Sequence, residues 1–270
     1  MKKFEPQTHA RASTCPTHGA FNENGGSFFG GDDAKVMWFG CTTCNTVARA
    51  QDEAEAVRKV EAERQARIES RLNRAGIPAA FRGRTFDNYE ATSPEQVDAV
   101  RVIREFAEGF WTRHHKAGTF LVLGGERGTG KSHLANAAAQ VMMARGTAMY
   151  TRAGDLIRRV RGTWRKDSPQ SEEEVLKLLI VGLDLLVIDE VGLQRGTEDE
   201  QLILFDIIDG RYAELRPTIL LTNLEGRAFA EFLGPRIMDR LRERAVFVPF
   251  KWSSYRGQAD RQAMAAPSPS

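Results

Sequence analysis

A three-layer α/β/α sandwich around a parallel sheet is the fold this sequence predicts, and three observations carry it. The apolar run Phe120-Leu121-Val122-Leu123 leads into Gly125-Glu126-Arg127-Gly128-Thr129-Gly130-Lys131-Ser132, a G-x-x-x-x-G-K-S loop, and then into an alanine-rich helix from His133 to Ala144. Leu185-Leu186-Val187-Ile188 runs straight into Asp189-Glu190, the pattern of a central strand whose C-terminal end meets a ligand. From about Ala80 onward, helical patterns alternate with short apolar strands.

The first two patterns fix the expected chemistry. A loop of this type turns backbone N–H groups toward one point, and its glycines let the main chain approach a triphosphate. Lys131 can reach the β- and γ-phosphates, the Ser132 hydroxyl suits Mg²⁺, and His133 opens the helix whose N-terminus faces the anion. ATP and Mg²⁺ are therefore the expected cofactors. Asp189 is placed to hold Mg²⁺ through water, and Glu190 to orient and polarise the attacking water. A third strand, residues 217–223, ends in Thr222-Asn223. Asn223 could hydrogen-bond that water or the γ-phosphate, although the same pair is ordinary turn chemistry.

The 270 residues suffice for one sizeable α/β core and a small appendage. A formal charge of +2 does not demand nucleic acid, so any such site must be local. No apolar run approaches the roughly 20 residues of a membrane span. The start, Met1-Lys2-Lys3, is followed by polar residues, so a cytoplasmic location is expected. Three cysteines cannot all pair within one chain.

Along the chain, residues 1–48 hold all the cysteines and few aliphatics. Cys15 and His18 form C-x2-H, and Cys41 and Cys44 form C-x2-C, two chelating pairs of the kind a tetrahedral Zn²⁺ site needs. His9 is a substitute for His18, and free thiols in a disordered arm are the plainer alternative. Phe21, Phe28, Phe29, Trp38 and Phe39 would supply a miniature core. Residues 49–79 read as a charged helical linker stopped by Gly76 and Pro78, with too thin an apolar stripe to be core. Residues 80–257 form the main domain. Ser93 and Gln96 make a capping box, and Val97, Val100, Ile103, Phe106 and Phe110 follow at helical spacing as core. A strand at 148–151, helices at 153–166, 172–181 and 198–215, and a last strand at 246–250 complete it. Residues 258–270, ending Pro-Ser-Pro-Ser, read as a disordered tail.

Two charge patterns suggest partners. Arg152, Arg158, Arg159, Arg161, Arg165 and Lys166 crowd one short segment with Trp164 among them, which fits a single-strand DNA surface or, equally, a solvated helix face with Trp164 tucked into the core. Arg236 and Arg240 lie four apart on one helix face, either as surface charge or as arginines reaching a neighbouring subunit's γ-phosphate.

Taken in order, these residues resemble the DnaC/DnaI helicase-loader branch of the AAA+ ATPases over residues 72–257. The likeness rests on Leu72 to Ile77, Thr85 to Tyr89, Gly125 to Ser132, Asp184 to Gly192, Leu221 to Asn223, Gly234 to Leu241 and Trp252 to Arg256. It implies that Lys131 and Ser132 belong to Walker A, Asp189 and Glu190 to Walker B, and Asn223 to sensor 1. It also implies that Arg236 and Arg240 fall in the box with the trans-acting arginine, Arg256 in sensor 2, and Trp164 at the position of a DNA-contacting aromatic. The expected partners are a DnaB-type replicative helicase, single-stranded DNA, an initiator protein and further copies of the chain in a spiral, with no membrane. The resemblance implies weak, DNA-stimulated hydrolysis. An IstB-type helper of a transposase and a nucleotide-gated switch with negligible turnover are the rival readings.

Overall fold

The computed structural model describes residues 7–27, 36–193 and 197–255. The chain divides into two units, Met1–Ile68 and Glu69–Ser270.

In the first unit, strands β1 (Gln7–Cys15) and β2 (Gly19–Ser27) form an antiparallel hairpin with Cys15 opposite Gly19, and β3 (Met37–Trp38) adds to β2. The aromatic core expected here is not seen among the described residues. Phe39 is 52% exposed, Phe21 and Trp38 are only partly covered, and Phe28 and Phe29 lie outside the described residues. The buried side chains are instead Cys15, Cys41, Glu23 and Ser27. Glu23 accepts from the Gly40 N–H at 2.9 Å and pairs with Arg11 at 2.7 Å, whose guanidinium lies over the Trp38 ring. A fragment this small cannot bury enough apolar surface to fold on that alone, so its polar ligands must carry it.

Helix α1 spans Thr42–Arg74, beginning well before the expected residue 49. Its first turn closes on the second cysteine pair, where the Asn45 N–H donates to the Cys41 carbonyl and the Thr46 hydroxyl to the Thr42 carbonyl. Val57, Val60 and Ile68 are exposed, as the thin stripe predicts.

The last turns of α1 belong to the second unit. Ile77 N–H bonds the Leu72 carbonyl and Gly76 N–H the Asn73 carbonyl, with Gly76 left-handed at φ +68°. This is a Schellman close, and Leu72 and Ile77 are both buried by it. The final part of the expected 49–79 linker is therefore core rather than connector.

The second unit holds five parallel strands, β4 (Phe120–Gly125), β5 (Ala148–Arg152), β6 (Leu185–Val191), β7 (Thr218–Thr222) and β8 (Ala245–Phe250), in the order β5-β6-β7-β4-β8. Alternation along β4 sends Leu121 and Leu123 to one face and Phe120 and Val122 to the other, and both faces are buried. Helices α2 (Pro94–Glu108) and α4 (Lys131–Met142) cover the first face. The second is covered by α5 (Ala153–Gly162), α6 (Glu172–Ile180), α7 (Glu198–Ala213) and α8 (Gly226–Arg244). Between α2 and β4 a π-turn at Phe110–His114 runs into the single turn α3 (His115–Ala117).

The capping box of Ser93 and Gln96 forms as expected. Val97 does not join the core and is 56% exposed. Six residues at 100° each set it about 120° from the buried Ile103, and Ala99 takes its place. Helix α5 stops at Gly162 rather than 166, so Trp164 and Arg165 lie on the turn beyond it. Helix α8 is two helices across a kink, with Gly234 at φ 79° and Pro235 opening the second. Arg211 is fully buried: its Nε–H donates to the Thr218 hydroxyl, its Nη1 hydrogens are shared among the carbonyls of Leu179, Ile180 and Leu183, and Nη2 donates to the Pro217 carbonyl.

Candidate nucleotide site and metal cluster

Residues 125–132 form a turn between the end of β4 and the start of α4. Gly128 and Gly130 take left-handed backbone at φ 78° and 97°. A Cβ on Gly130 would stand 2.5 Å from the Tyr89 ring, so only glycine fits. The loop is braced from outside. Tyr89 OH and Trp252 Nε1–H both donate to the Thr129 carbonyl, at 3.1 and 2.9 Å, and the Tyr255 N–H donates to the Gly128 carbonyl at 3.0 Å. Burial pushes the Tyr89 phenol up to about 12, so it stays a donor.

Lys131 is buried and donates to the carbonyls of Gly125 and Glu126 at 2.7 and 2.6 Å. Burial lowers its pKa to about 8, against the pull of Asp189 and Glu126. The side chains of Glu126 and Arg127 are exposed, so these two positions contribute backbone. His133 lies in the first turn of α4, where its Nε2–H donates to the Thr85 carbonyl at 2.8 Å and its ring meets Tyr89 edge-on. It ties the segment before α2 to the first turn of α4.

Ser132 Oγ donates to Asp189 Oδ2 at 2.9 Å, which brings the loop and the end of β6 together. The Tyr150 hydroxyl donates to the same oxygen, and the Glu190 N–H donates to Oδ1 at 2.7 Å. Burial, with the negative charge of Asp189 next, raises the Tyr150 pKa. A hydroxyl beside a carboxylate is an all-oxygen donor set, which suits Mg²⁺. Pairing of β6 with β7 shifts register between Ile188 and Val191, and Glu190 there is left-handed at φ 59°. Such an irregularity re-aims a side chain at a strand end. Arg152 Nε lies 3.8 Å from Glu190 Oε2. Asn223 follows β7 directly, one residue beyond the pairing of Thr222 with Gly124.

The other expected residues lie apart. Arg236, Asp239, Arg240 and Phe205 line a groove of about 290 Å³ between α7 and α8 that includes no residue of the loop. Arg240 pairs with Asp209 at 2.9 Å and stacks on Tyr212, whereas Arg236 is exposed with no ion pair among the described residues. Arg256 lies outside the described residues. Trp164 is 52% exposed, its Nε1–H donating to Glu172 at 2.9 Å. Arg158 pairs with Asp155, Arg165 with Asp167, and Arg161 with Asp199 and Glu200, while Arg159 approaches the Met149 sulfur. The acids of α7 facing Arg161 are distant in sequence, so the segment is less one-sided than its composition.

In the first unit, one ligand atom each from Cys15, His18, Cys41 and Cys44 lies within 4.8 Å of the others. His18 Nδ1 is 3.7, 3.7 and 3.3 Å from the three sulfurs in turn, and Cys15 Sγ is 3.6 Å from Cys44 Sγ. Tetrahedral zinc with thiolate and imidazole ligands has edges of roughly 3.5–3.8 Å from its bond lengths. The donor set fits. His9 bonds Ser27 Oγ at 3.0 Å and is no part of the cluster. Backbone N–H groups of Thr17 and His18 lower the Cys15 thiol to about 7, and that of Cys44 lowers Cys41. Cys44, beside Cys15, is pushed up to about 11. Three thiolates are not held by protein donors alone; a dication would remove that conflict.

Tyr89, Tyr150 and Trp252 were given no role of their own by the sequence. Strand alternation marks Tyr150 as buried, but nothing local marks its partner.

The family described as IstB-like ATP binding protein matches residues 45–263. The replicative helicase loader DnaC of Escherichia coli K12 is 34% identical over 213 residues, 77% of this chain and 84% of that protein. The uncharacterized protein YdaV of the same strain is 36% identical over 195 residues, 72% and 76% of the two chains. Among solved structures, the crystal structure of the DnaC helicase loader superposes with a TM-score of 0.57 at 23% identity, over 64% of this chain and 99% of that one. The replication initiator DnaA bound to AMPPCP and single-stranded DNA gives 0.53 at 21%, over 63% and 50%. These two likenesses concern the fold. Among the described residues, no helix is long and apolar enough to cross a membrane.

Proposed function

The chain belongs to the IstB-like ATP binding protein family, and on that premise we propose that it is an ATP-dependent loader of a ring-shaped, DnaB-type replicative helicase onto single-stranded DNA. The observation that carries this reading is the 34% identity spanning 84% of the helicase loader DnaC. The site chemistry supports it, with Ser132 and Asp189 joined at 2.9 Å and Glu190 next to them.

In this reading Lys131 and the loop N–H groups neutralise the triphosphate. Ser132 and Asp189 hold Mg²⁺, which when bound offsets charge on the β- and γ-oxygens. Glu190 orients the attacking water, with Asn223 beside it at the end of β7. Arg236 and Arg240 serve the neighbouring subunit's nucleotide across the α7–α8 groove, and Arg256 reads its own. Single-stranded DNA runs past Trp164 and the arginines of α5, aligning copies into a spiral and raising a slow turnover. Zinc at Cys15, His18, Cys41 and Cys44 folds the first unit.

The test is strand displacement by the cognate hexameric helicase on a closed single-stranded circle, which offers no end for threading. Displacement should require both this protein and ATP. Equal displacement without it would remove the loader reading. The family description also fits a transposition helper, which would form filaments on duplex DNA and give no displacement.

A further inference from the structure

We propose that Tyr150 is a positioning residue for the Mg²⁺ carboxylate, holding Asp189 toward Ser132 and fixed itself by the hook that ends α1. The inference rests on the nucleotide-site reading and adds a residue to it. Tyr150 is buried on β5, the edge strand of the sheet. Its hydroxyl donates to Asp189 Oδ2, the oxygen that also accepts from Ser132 at 2.9 Å. The Glu190 N–H on Oδ1, at 2.7 Å, completes a three-point grip on the carboxylate. A carboxylate has about four lone-pair sites, so this grip sets its plane and leaves capacity for a metal-bound water.

The backbone of Tyr150 is held as firmly from the other side. As an edge residue its N–H has no strand beyond it, and the Ala75 carbonyl takes it at 2.7 Å. Gly76 lies against the Tyr150 carbonyl so closely that a Cβ there would stand 2.7 Å from the oxygen. The Phe81 ring packs on the phenol at 6.3 Å between centroids. Residues 75–81 therefore fix where the Tyr150 hydroxyl can be, and through it the Asp189 oxygen. Partners of metal ligands typically change metal affinity about 10–100-fold.

The experiment follows binding of a fluorescent ATP analogue by anisotropy while free Mg²⁺ is titrated, with no turnover in the readout. For Tyr150→Phe, which loses one oxygen atom, the Mg²⁺ midpoint should rise about tenfold. Affinity measured in EDTA should match the wild type, because Lys131 and the loop are untouched. An unchanged Mg²⁺ midpoint overturns the proposal, even with an altered melting temperature, since that pattern makes Tyr150 a packing residue. Asp189→Asn run in parallel keeps the two readings apart. If the wild type and Asp189→Asn both ignore Mg²⁺, the nucleotide-site reading itself has failed and the Tyr150 inference falls with it.

Discussion

Tyr89 and Trp252, far apart in the sequence, donate hydrogen bonds to one acceptor, the Thr129 carbonyl. Thr129 is itself buried. A carbonyl has two lone pairs, so either donor alone keeps it paired. Tyr89→Phe and Trp252→Phe should each be mild in this respect, and the double variant should lose roughly 1–3 kcal/mol beyond their sum, the cost of an unpaired buried acceptor. Urea midpoints of the four chains in the cycle measure it, and strict additivity would show that the shared bond contributes nothing.

Lys131→Ala should abolish ATP binding, because backbone N–H groups alone cannot neutralise a triphosphate. Glu190→Gln should retain ATP and stop turnover. Equilibrium binding and phosphate release, measured on the same preparations, separate the two effects. Wild-type phosphate release from the Glu190 variant removes its assignment.

About one Zn²⁺ per chain should co-purify, as four ligands close a structural site. His18→Ala should lower the zinc content and His9→Ala should not, since His9 is engaged with Ser27. Chelation should make residues up to about 48 protease-sensitive and spare the ATPase unit. Metal analysis with limited proteolysis decides, and a metal-free chain protected over that stretch would defeat the assignment.

Mixing an Arg236→Ala/Arg240→Ala chain with a Lys131→Ala chain should restore some DNA-stimulated hydrolysis if the arginines act across a subunit boundary. No recovery in mixtures shown to co-assemble would leave them as surface charge. Single variants then separate Arg236, without an ion pair among the described residues, from Arg240, which Asp209 holds at 2.9 Å.

Trp164→Ala should weaken single-strand binding by roughly 1–3 kcal/mol, the value of one stacked base, and leave ATP affinity intact. Fluorescence titration with an oligonucleotide reads the first and analogue binding the second. Wild-type DNA affinity would return Trp164 to being an exposed ring bonded to Glu172.

Much of this was legible because the phosphate loop and the strand ending Asp189-Glu190 are local patterns, in which apolar runs fix the strand and chemistry fixes the turn. The capping box of Ser93 was legible for the same reason. Partners contributed by tertiary packing were not. Nothing near Tyr150 in sequence announces Asp189, and nothing near Arg161 announces the acids of α7. The start of α1 was missed because residues 42–48, Thr-Thr-Cys-Asn-Thr-Val-Ala, are mostly weak helix formers, and it is the turn closing on Cys41 that starts the helix there. Val97 was misplaced because a periodic pattern does not say which of two adjacent faces is inward.

The buried Arg211 has a practical meaning for anyone dividing this protein. Its guanidinium binds acceptors on both sides of it in sequence, from Leu179 to Thr218. A fragment ending after α6 would leave the Leu179 and Ile180 carbonyls without this donor, and one beginning at α7 would leave the cation only Pro217 and Thr218. Expression boundaries, circular permutants and split reporters should therefore leave residues 179–218 in one piece.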